Sequence, residues 1–303
     1  MSLSNFLVGS SFVLAALMLG GCSASSGGDE TASSEVRATD APPPPAAPIA
    51  RDVLASTKPE HQHLASLWNV TNVGSPDELD VRVFEMGGGD PAMNGNYLWL
   101  GLSGDESDTV WDTGLNVSTV AKVEVPSAGV VRLSVSWDTL DAEGNTKKED
   151  GQVTIRYSLT AGRVAPTLSV EAPAAHGGTQ SVTPQTDAAA NFLGGVYGIK
   201  QIEREGVLAR VYEVAGGDPA MDGDHLYMSL MSFPEVKTYD LGLNIASLDS
   251  LKFTSASELA IEGKKDQQDA SGRITPASYS AKVQFSLANG APTNSVKVVA
   301  PER

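Results

Sequence analysis

Arg82-Val-Phe-Glu-Met-Gly-Gly-Gly-Asp-Pro-Ala-Met-Asn-Gly95 returns later in the chain as Arg210-Val-Tyr-Glu-Val-Ala-Gly-Gly-Asp-Pro-Ala-Met-Asp-Gly223. Asp90 and Asp218, inside these stretches, lie 128 positions apart. The same offset relates Asp112-Thr-Gly-Leu-Asn116 to Asp240-Leu-Gly-Leu-Asn244. An offset that holds over about a hundred residues without net insertion indicates a duplicated domain. The repeat predicts copy 1 at residues 63–173 and copy 2 at residues 192–303.

Hydrophobic residues in copy 1 alternate with polar ones, as in half-buried strands. The alternation is clear at Leu98, Leu100 and Leu102, and turn signals such as Asn94-Gly95 separate the segments. We find no helical period of useful length. The sequence therefore predicts an all-β fold with two tandem antiparallel β-sandwich domains, each about the size of an immunoglobulin domain.

The remaining segments are polar or belong to the N-terminus. Residues 1–21 have the form of a targeting segment, with an apolar run from Phe6 to Leu19 that is too short for a comfortable membrane span. Residues 22–62 are rich in Ser, Gly and Pro, and we expect a disordered tether there. Residues 174–191 are predicted to be a linker, so each copy is expected to fold on its own.

Leu19-Gly-Gly-Cys22 resembles the lipobox of bacterial lipoproteins, in which an aliphatic residue and two small residues precede an acylated cysteine. Cys22 is the single cysteine of the chain, which suits lipid attachment better than a disulfide. The resemblance implies a lipid-anchored protein of the bacterial cell envelope. By the usual sorting pattern, Ser23 after the cysteine points to the outer membrane.

The charge of the chain bears on its partners. With a formal net charge of −16, the chain is disfavoured as a ligand of nucleic acid or of anionic membrane surfaces, because both need clustered Lys and Arg. Membrane contact is therefore expected through the lipid anchor alone.

The repeated Gly-Gly-Asp-Pro loop has two interpretations. In the structural one, the loop is a one-turn helix that places Met93 and Met221 in the core. In the other, it binds calcium through oxygen ligands, which calcium prefers. The calcium ligands in copy 2 would be Glu213, Asp218, Asp222 and Asp224, and the matching set in copy 1 is Glu85, Asp90, Asn94 and Asn96. No other cofactor is predicted.

A group of aromatic residues is expected on the outer face of two neighbouring strands of copy 1. Because the Leu face of strand 97–102 must be core, Tyr97 and Trp99 point the other way, and Arg82 and Phe84 lie beside them. Exposed rings next to Arg are typical of recognition surfaces. The four residues are therefore a candidate ligand-binding surface, and the alternative is that the rings are buried between the two copies.

Enzyme motifs are absent from the sequence. Gly-x-Ser-x-Gly, His-Glu-x-x-His and phosphate-loop patterns do not occur, and the chain has only four histidines. The sequence favours a non-catalytic binding or scaffolding role toward an envelope protein or a glycan. The alternative is a hydrolase with a carboxylate-based site between the two domains, for which Glu85 and Asp90 are one candidate pair.

Overall fold

Both faces of the strand that opens the repeated stretch are buried. Val81 and Val83 point to one side, and Arg82 and Phe84 point to the other. The computed structural model describes residues 47–88, 95–104, 107–160, 163–216, 223–268 and 271–301, all within one compact unit. Strands predominate throughout, so the predicted all-β class is confirmed.

The strands follow the same order in both copies, after one N-terminal strand, β1 (Pro48–Leu54). Copy 1 and the segment after it contain β2 (Leu67–Gly74), β3 (Asp80–Gly87), β4 (Asn96–Gly104), β5 (Ser107–Val117), β6 (Thr119–Ser127), β7 (Val130–Leu140), β8 (Thr146–Arg156), β9 (Leu159–Thr160), β10 (Arg163–Val164), β11 (Leu168–Glu171) and β12 (Thr179–Val182). Copy 2 contains β13 (Val196–Arg204), β14 (Val207–Val214), β15 (Asp224–Ser232), β16 (Glu235–Ile245), β17 (Ser247–Ser255), β18 (Glu258–Gln268), β19 (Ile274–Gln284), β20 (Leu287–Ala288), β21 (Ala291–Pro292) and β22 (Ser295–Pro301).

Two short helices precede the copies. Helix α1 (Pro59–His63) begins with a proline, whose missing N–H costs nothing at that position, and a 3₁₀ turn (Leu64–Ser66) follows it. Helix α2 (Ala188–Gly194) is capped by Asp187, whose carboxylate accepts from the Ala190 N–H at 2.8 Å. A second 3₁₀ turn spans Ala174–His176.

Each copy is built from a four-stranded and a five-stranded antiparallel sheet. In copy 1 the sheet orders are β2-β3-β4-β5 and β12-β11-β8-β7-β6; in copy 2 they are β13-β14-β15-β16 and β1-β22-β19-β18-β17. The short pairs β9–β10 and β20–β21 form separate ribbons. The two sheets of each copy enclose an apolar core, one containing Val81, Leu100 and Trp111, the other containing Val211, Met228 and Tyr239.

A third apolar core joins the copies. It is formed by the outer faces of the two four-stranded sheets together with the short helices, and it includes Phe84 and Met86 of copy 1 and Tyr212 and Val214 of copy 2. Because this core is shared, each copy covers apolar residues on the outer face of the other's four-stranded sheet, such as Phe84 and Tyr212. We therefore expect the copies to depend on each other for stability, which differs from the sequence-based expectation that each folds on its own.

The segment before each copy packs against the other copy. The Ser56 N–H donates to the Thr238 carbonyl of β16 at 2.7 Å, and the Gln185 N–H donates to the Val110 carbonyl of β5 at 2.8 Å. β12 is the edge strand beside β11, and β1 is the edge strand beside β22. The two ends of the described chain therefore meet, since Pro48 faces Pro301 across the sheet.

Two predicted segment boundaries are therefore wrong. The predicted tether, residues 22–62, contains β1 and all but the last residue of α1, and the predicted linker 174–191 contains β12 and part of α2. Composition indicated disorder because these segments bury few apolar side chains of their own; β1, for example, buries only Val53 in part. Main-chain pairing with an existing sheet orders β1 and β12 instead, whereas α1 and α2 are held by buried residues such as His61 and Ala190.

The ladder to β1 is expected to hold β22 in place. β22 pairs with β1 over seven residues but with β19 over only three, from Lys297 to Val299. Deleting residues 47–54 should therefore reduce the hydrogen-exchange protection of the Val296 and Val298 amides by at least about tenfold, since unpaired edges open locally. The exchange rates can be measured by NMR.

A circular permutant provides the control. Moving residues 47–54 behind Pro301 through a short glycine-rich turn turns β22 and β1 into a hairpin like β11–β12, and protection should return. Unchanged exchange after the deletion would show that β1 does not hold β22.

Candidate functional site

The predicted ligand-binding surface is only partly at the surface. Arg82 and Phe84 are completely buried, and Trp99 is half-buried against the third core. Only Tyr97, with 41% of its surface exposed, is open to solvent. The four residues do not form a continuous exposed patch. The alternative of burial between the copies is correct for Arg82 and Phe84.

Arg82 reaches from copy 1 into copy 2. Its Nη1 donates to the Gly194 carbonyl at the end of α2, and its Nη2 pairs with Asp108 of its own copy at 2.9 Å. The guanidinium carbon lies 4.2 Å from the centre of the Tyr197 ring, within cation–π range. The buried charge is thus matched by a carboxylate, a carbonyl and a ring.

Arg210 makes the reciprocal contacts from copy 2 into copy 1. Its Nη1 donates to the Ala65 carbonyl at 2.9 Å, its Nε donates to Gln201 at 3.1 Å, and its guanidinium carbon lies 4.0 Å from the Trp68 ring. The two arginines that begin the repeated stretch therefore each bind the first residues of the opposite copy. Their role is to hold the copies together.

The predicted calcium ligands are only partly described. Asp218 and Asp222 lie outside the described residues, as do Asp90 and Asn94. Glu213 accepts a hydrogen bond from the Leu248 N–H at 2.6 Å. Burial raises the pKa of Glu213 despite this bond, and burial also raises the pKa of Asp224.

Glu85 holds the equivalent position in copy 1, where it accepts from the Val120 N–H at 3.3 Å and from Asn69 at 2.8 Å. Both glutamates thus bind the main chain at the start of the next sheet. Within the described ranges, no group of three or more His, Cys, Asp or Glu side chains is arranged to hold a metal ion. Calcium binding by the repeated loop stays a prediction, and so does a hydrolytic role for Glu85 and Asp90.

A cleft of about 530 Å³ opens where α2 and β5 meet the outer face of copy 2. Copy 1 contributes Asp108 to it, and copy 2 contributes His225, Tyr227 and Asp240. Asn191 and Phe192 of α2 complete the polar and aromatic part of the lining. The volume lies in the range of ordinary small-molecule sites.

A β-bulge positions His225 and Asp240, the charged pair of this cleft. β15 and β16 shift register between Leu226 and Tyr227, and Gly242 in the bulge has a φ of +56°, which favours glycine. The Gly242 N–H donates to Asp240 at 2.9 Å. Copy 1 has the same bulge at Asp112 and Gly114, so the repeated Asp-x-Gly-Leu-Asn sequence encodes it.

His225 lies between Asp240 and Asn244, the polar side chains on either side of the bulge. Its Nε2 is 2.5 Å from Asp240 Oδ1, and its Nδ1 is 2.9 Å from Asn244 Oδ1. An imidazolium, which donates from both nitrogens, satisfies both oxygens. Burial pushes the pKa of Asp240 upward, but the hydrogen bonds from His225 and Gly242 outweigh burial, so the pKa lies below its ordinary value.

His61 of α1 packs behind the aromatic wall of the cleft. Its ring lies 4.7 Å from Tyr227 and 4.9 Å from Phe192, and its Nδ1 is 2.9 Å from Ser56 Oγ. Burial raises the pKa of Tyr227 to about 12, so its hydroxyl stays protonated at neutral pH. The N-terminal segment thus packs against the aromatic residues of the site. The sequence analysis, which predicted a disordered tether here, did not foresee this contact.

The lining can accept and donate hydrogen bonds and can stack on a ligand. It has carboxylate, amide and imidazole groups beside two aromatic rings, and its described lining contains no Ser, Thr or Cys to act as a nucleophile. Sequence reasoning noted the repeat of Asp112–Asn116 at Asp240–Asn244, but it did not connect this repeat with His225, which stands where copy 1 has Tyr97. The useful signal was the place where the two copies differ.

Comparison with known proteins gives no family. Neither a family model nor a curated protein matches the chain. Among solved structures, the catalytic domain of a Coprinopsis cinerea GH62 α-L-arabinofuranosidase is 9% identical with a TM-score of 0.22, over 85% of this chain and 97% of that chain. A "putative outer membrane protein" from Bacteroides fragilis is 11% identical with a TM-score of 0.14, over 81% and 100%. Such low TM-scores support no inference about fold or function.

Among the described residues, none of the helices is long and apolar enough to span a bilayer.

Replacing Arg82 with Met should destabilise the protein by about 3 kcal/mol, because it removes a buried charge that satisfies the Gly194 carbonyl and Asp108. Chemical denaturation measures the change. The matched control is Arg156→Met, whose exposed ion pair with Glu171 should contribute less than about 1 kcal/mol. If both substitutions cost the same, Arg82 does not hold the copies together.

Stability should fall as the pH drops below about 6.5, partly through His61. Burial, and to a smaller extent Lys58, lowers the pKa of His61 below its ordinary 6.5. The unfolded chain then binds a proton at about pH 6.5 that the folded chain resists, so acid favours unfolding, and the effect is absent at higher pH. His61→Phe keeps an aromatic ring at this position but cannot take up a proton.

Unfolding free energies at about pH 7.5 and about pH 5.5, on either side of the ordinary histidine pKa, test this. The loss between the two should be smaller in His61→Phe than in the wild type, though not zero, because burial also lowers the pKa of His63. Ser56→Ala removes only the hydrogen bond to His61 and should keep the wild-type pH dependence. An equal loss in His61→Phe and wild type would contradict the assignment.

Proposed function

We propose that this chain is a lipid-anchored, non-catalytic binding protein of the bacterial cell envelope, and that its cleft binds a neutral sugar of a glycan. The observation that carries the binding role is the lining of the cleft, where Phe192 and Tyr227 stand beside Asp108, Asn191, His225 and Asp240. Aromatic rings offer an apolar face to the C–H groups of a sugar. Carboxylate and amide groups bond its hydroxyls.

Charge narrows the kind of glycan. Each carboxylate of the cleft already has a partner, Asp108 in Arg82 and Asp240 in His225, so the lining offers no excess positive charge to an acidic sugar, and the net charge of −16 disfavours one. Asp240 stays ionised because of its hydrogen bonds from His225 and Gly242. A neutral sugar whose hydroxyls donate to Asp108 and Asp240 suits this lining best.

The anchoring part of the proposal comes from the N-terminus. Leu19-Gly-Gly-Cys22 resembles a lipobox, and Cys22 is the single cysteine of the chain. Acylation there would attach the chain to the membrane, with the outer membrane as the expected location. The glycan would then be one that lies next to the outer membrane.

A second candidate is a hydrolase that uses the same cleft. Asp108 and Asp240 come from different copies and both line it, which fits a carboxylate pair between the copies. Asp108 is held by Arg82 in an ion pair at 2.9 Å, so one carboxylate of the pair is already engaged within the protein. Binding without turnover is therefore the preferred function.

Calorimetric titration with neutral oligosaccharides of hexoses, pentoses and N-acetylhexosamines tests the cleft. Asn191→Ala and Asp240→Asn should each weaken binding by about tenfold or more, the usual effect of losing one good hydrogen bond to a ligand. Asp112→Asn, at the matching bulge of copy 1, should leave the affinity unchanged. Equal weakening by Asp112→Asn would place the site elsewhere, and released shorter sugars would favour the hydrolase.

Lipid attachment has its own test. Metabolic labelling with a fatty-acid analogue should mark the wild-type protein in the membrane fraction, and Cys22→Ala should lose the label and accumulate as precursor. The matched control is Ser25→Ala, which leaves the lipobox intact and should be labelled normally. Unlabelled wild-type protein with a free thiol on Cys22 would refute the anchor.

A further inference from the structure

A second cavity, of about 360 Å³, opens at the edge of copy 2. It is lined by Arg51 of β1, Asn244 of β16, Lys265 of β18 and Tyr279 of β19. These strands belong to both sheets of the copy, so the cavity lies between the sheets, beside the place where the two ends of the described chain meet.

The same place in copy 1 is filled. The residue equivalent to Lys265 is Trp137, which is 5% exposed and stacks on His176 with ring centres 4.1 Å apart and planes at 3°. The residue equivalent to Tyr279 is Gly151, where an added Cβ would lie 2.7 Å from the Trp137 ring. Copy 1 thus closes the gap with apolar packing, and copy 2 places a lysine and a tyrosine around an open space.

Arg51 is held in position by the bulge. Its Nη2 donates to the Leu241 and Gly242 carbonyls at 2.5 and 2.6 Å. Gln180, which occupies the equivalent position beside β11, donates to the Thr113 carbonyl at 2.6 Å. Arg51 therefore makes the same hydrogen bond as Gln180 and adds a positive charge that is held in place. Within the described residues, its Nε and Nη1 donate to no other group.

Lys265 supplies the second charge. Its ammonium makes no salt bridge within the described part of the chain, although acidic residues outnumber basic ones 37 to 21. Two cations that line one cavity of an acidic protein repel each other, and an anion between them relieves that repulsion.

We infer that this cavity binds an oxyanion, a carboxylate or phosphate group carried by a small hydroxyl-bearing molecule. Arg51 would bond the anion through its planar guanidinium, and Lys265 would pair with it as a point charge. Asn244 and Tyr279 would face the hydroxyl-bearing part. The site is distinct from the neutral-sugar cleft proposed above, since its two cations, Arg51 and Lys265, belong to the five-stranded sheet, whereas the cleft is lined by residues of α2, β5 and the four-stranded sheet.

NMR-detected titrations of the full-length protein with glucuronate, inorganic phosphate and glucose test this. Glucuronate or phosphate should shift the amides around Lys265 and Tyr279, which line this cavity and not the neutral-sugar cleft, and glucose should not. Binding of glucuronate alone identifies a carboxylate ligand, and binding of phosphate identifies a phosphorylated one. Absence of both shifts in the wild type would overturn the inference.

Variants taken from copy 1 sharpen the test. Lys265→Trp and Arg51→Gln should each weaken anion binding by about tenfold or more, while Arg51→Gln retains the donor that copy 1 uses. Lys264→Gln removes the same charge from the adjacent, exposed position of β18 and should bind as the wild type does. Equal weakening by Lys264→Gln would reveal general charge attraction and overturn the site.

Discussion

A buried guanidinium group needs hydrogen-bond acceptors, and Arg82 and Arg210 each obtain one of their acceptors from the opposite copy. Arg82 bonds the Gly194 carbonyl, and Arg210 bonds the Ala65 carbonyl. Each arginine also stacks on a ring of the first strand of the other copy, Tyr197 or Trp68. Separating the copies would leave the two buried charges without these partners. The need to satisfy both arginines at once therefore fixes how the four-stranded sheets face each other.

The other features of the molecule follow from that arrangement. With the four-stranded sheets face to face, their outer apolar residues form the third core, and α1 and α2 pack at its margin. The cleft lies at this margin, which explains why it combines Asp108 of copy 1 with His225 of copy 2. The pairing of β1 with β22 then joins the two ends of the described chain on one sheet.

Because the domain is duplicated, each position of copy 1 has an equivalent in copy 2. The candidate sites lie at equivalent positions where the two copies carry different residues. At the bulge, copy 1 has Tyr97 and copy 2 has His225, which pairs with Asp240. At the sandwich edge, copy 1 has Trp137 stacked on His176, and copy 2 has Lys265 beside an open cavity. The shared positions, such as Arg82 and Arg210, serve the scaffold.

The sequence predicted the strands well and the connections between copies poorly. Alternation at Leu98, Leu100 and Leu102 identifies a core face because period-2 patterns depend only on local chain geometry. The outer face carrying Arg82 and Phe84 looked like a ligand surface, because a polar residue and a ring indicate exposure unless a second sheet is known to cover them. β1 was missed since its order comes from main-chain pairing across the chain ends, which leaves little trace in composition.

The interdependence of the two copies is the central claim, and scanning calorimetry of the folded region tests it directly. If the shared core and the reciprocal arginines bind the copies into one cooperative unit, residues 47–301 should unfold in one transition whose calorimetric and van't Hoff enthalpies agree. Two resolved transitions, each with about half of the total enthalpy, would show that the copies are independent domains and would contradict the account.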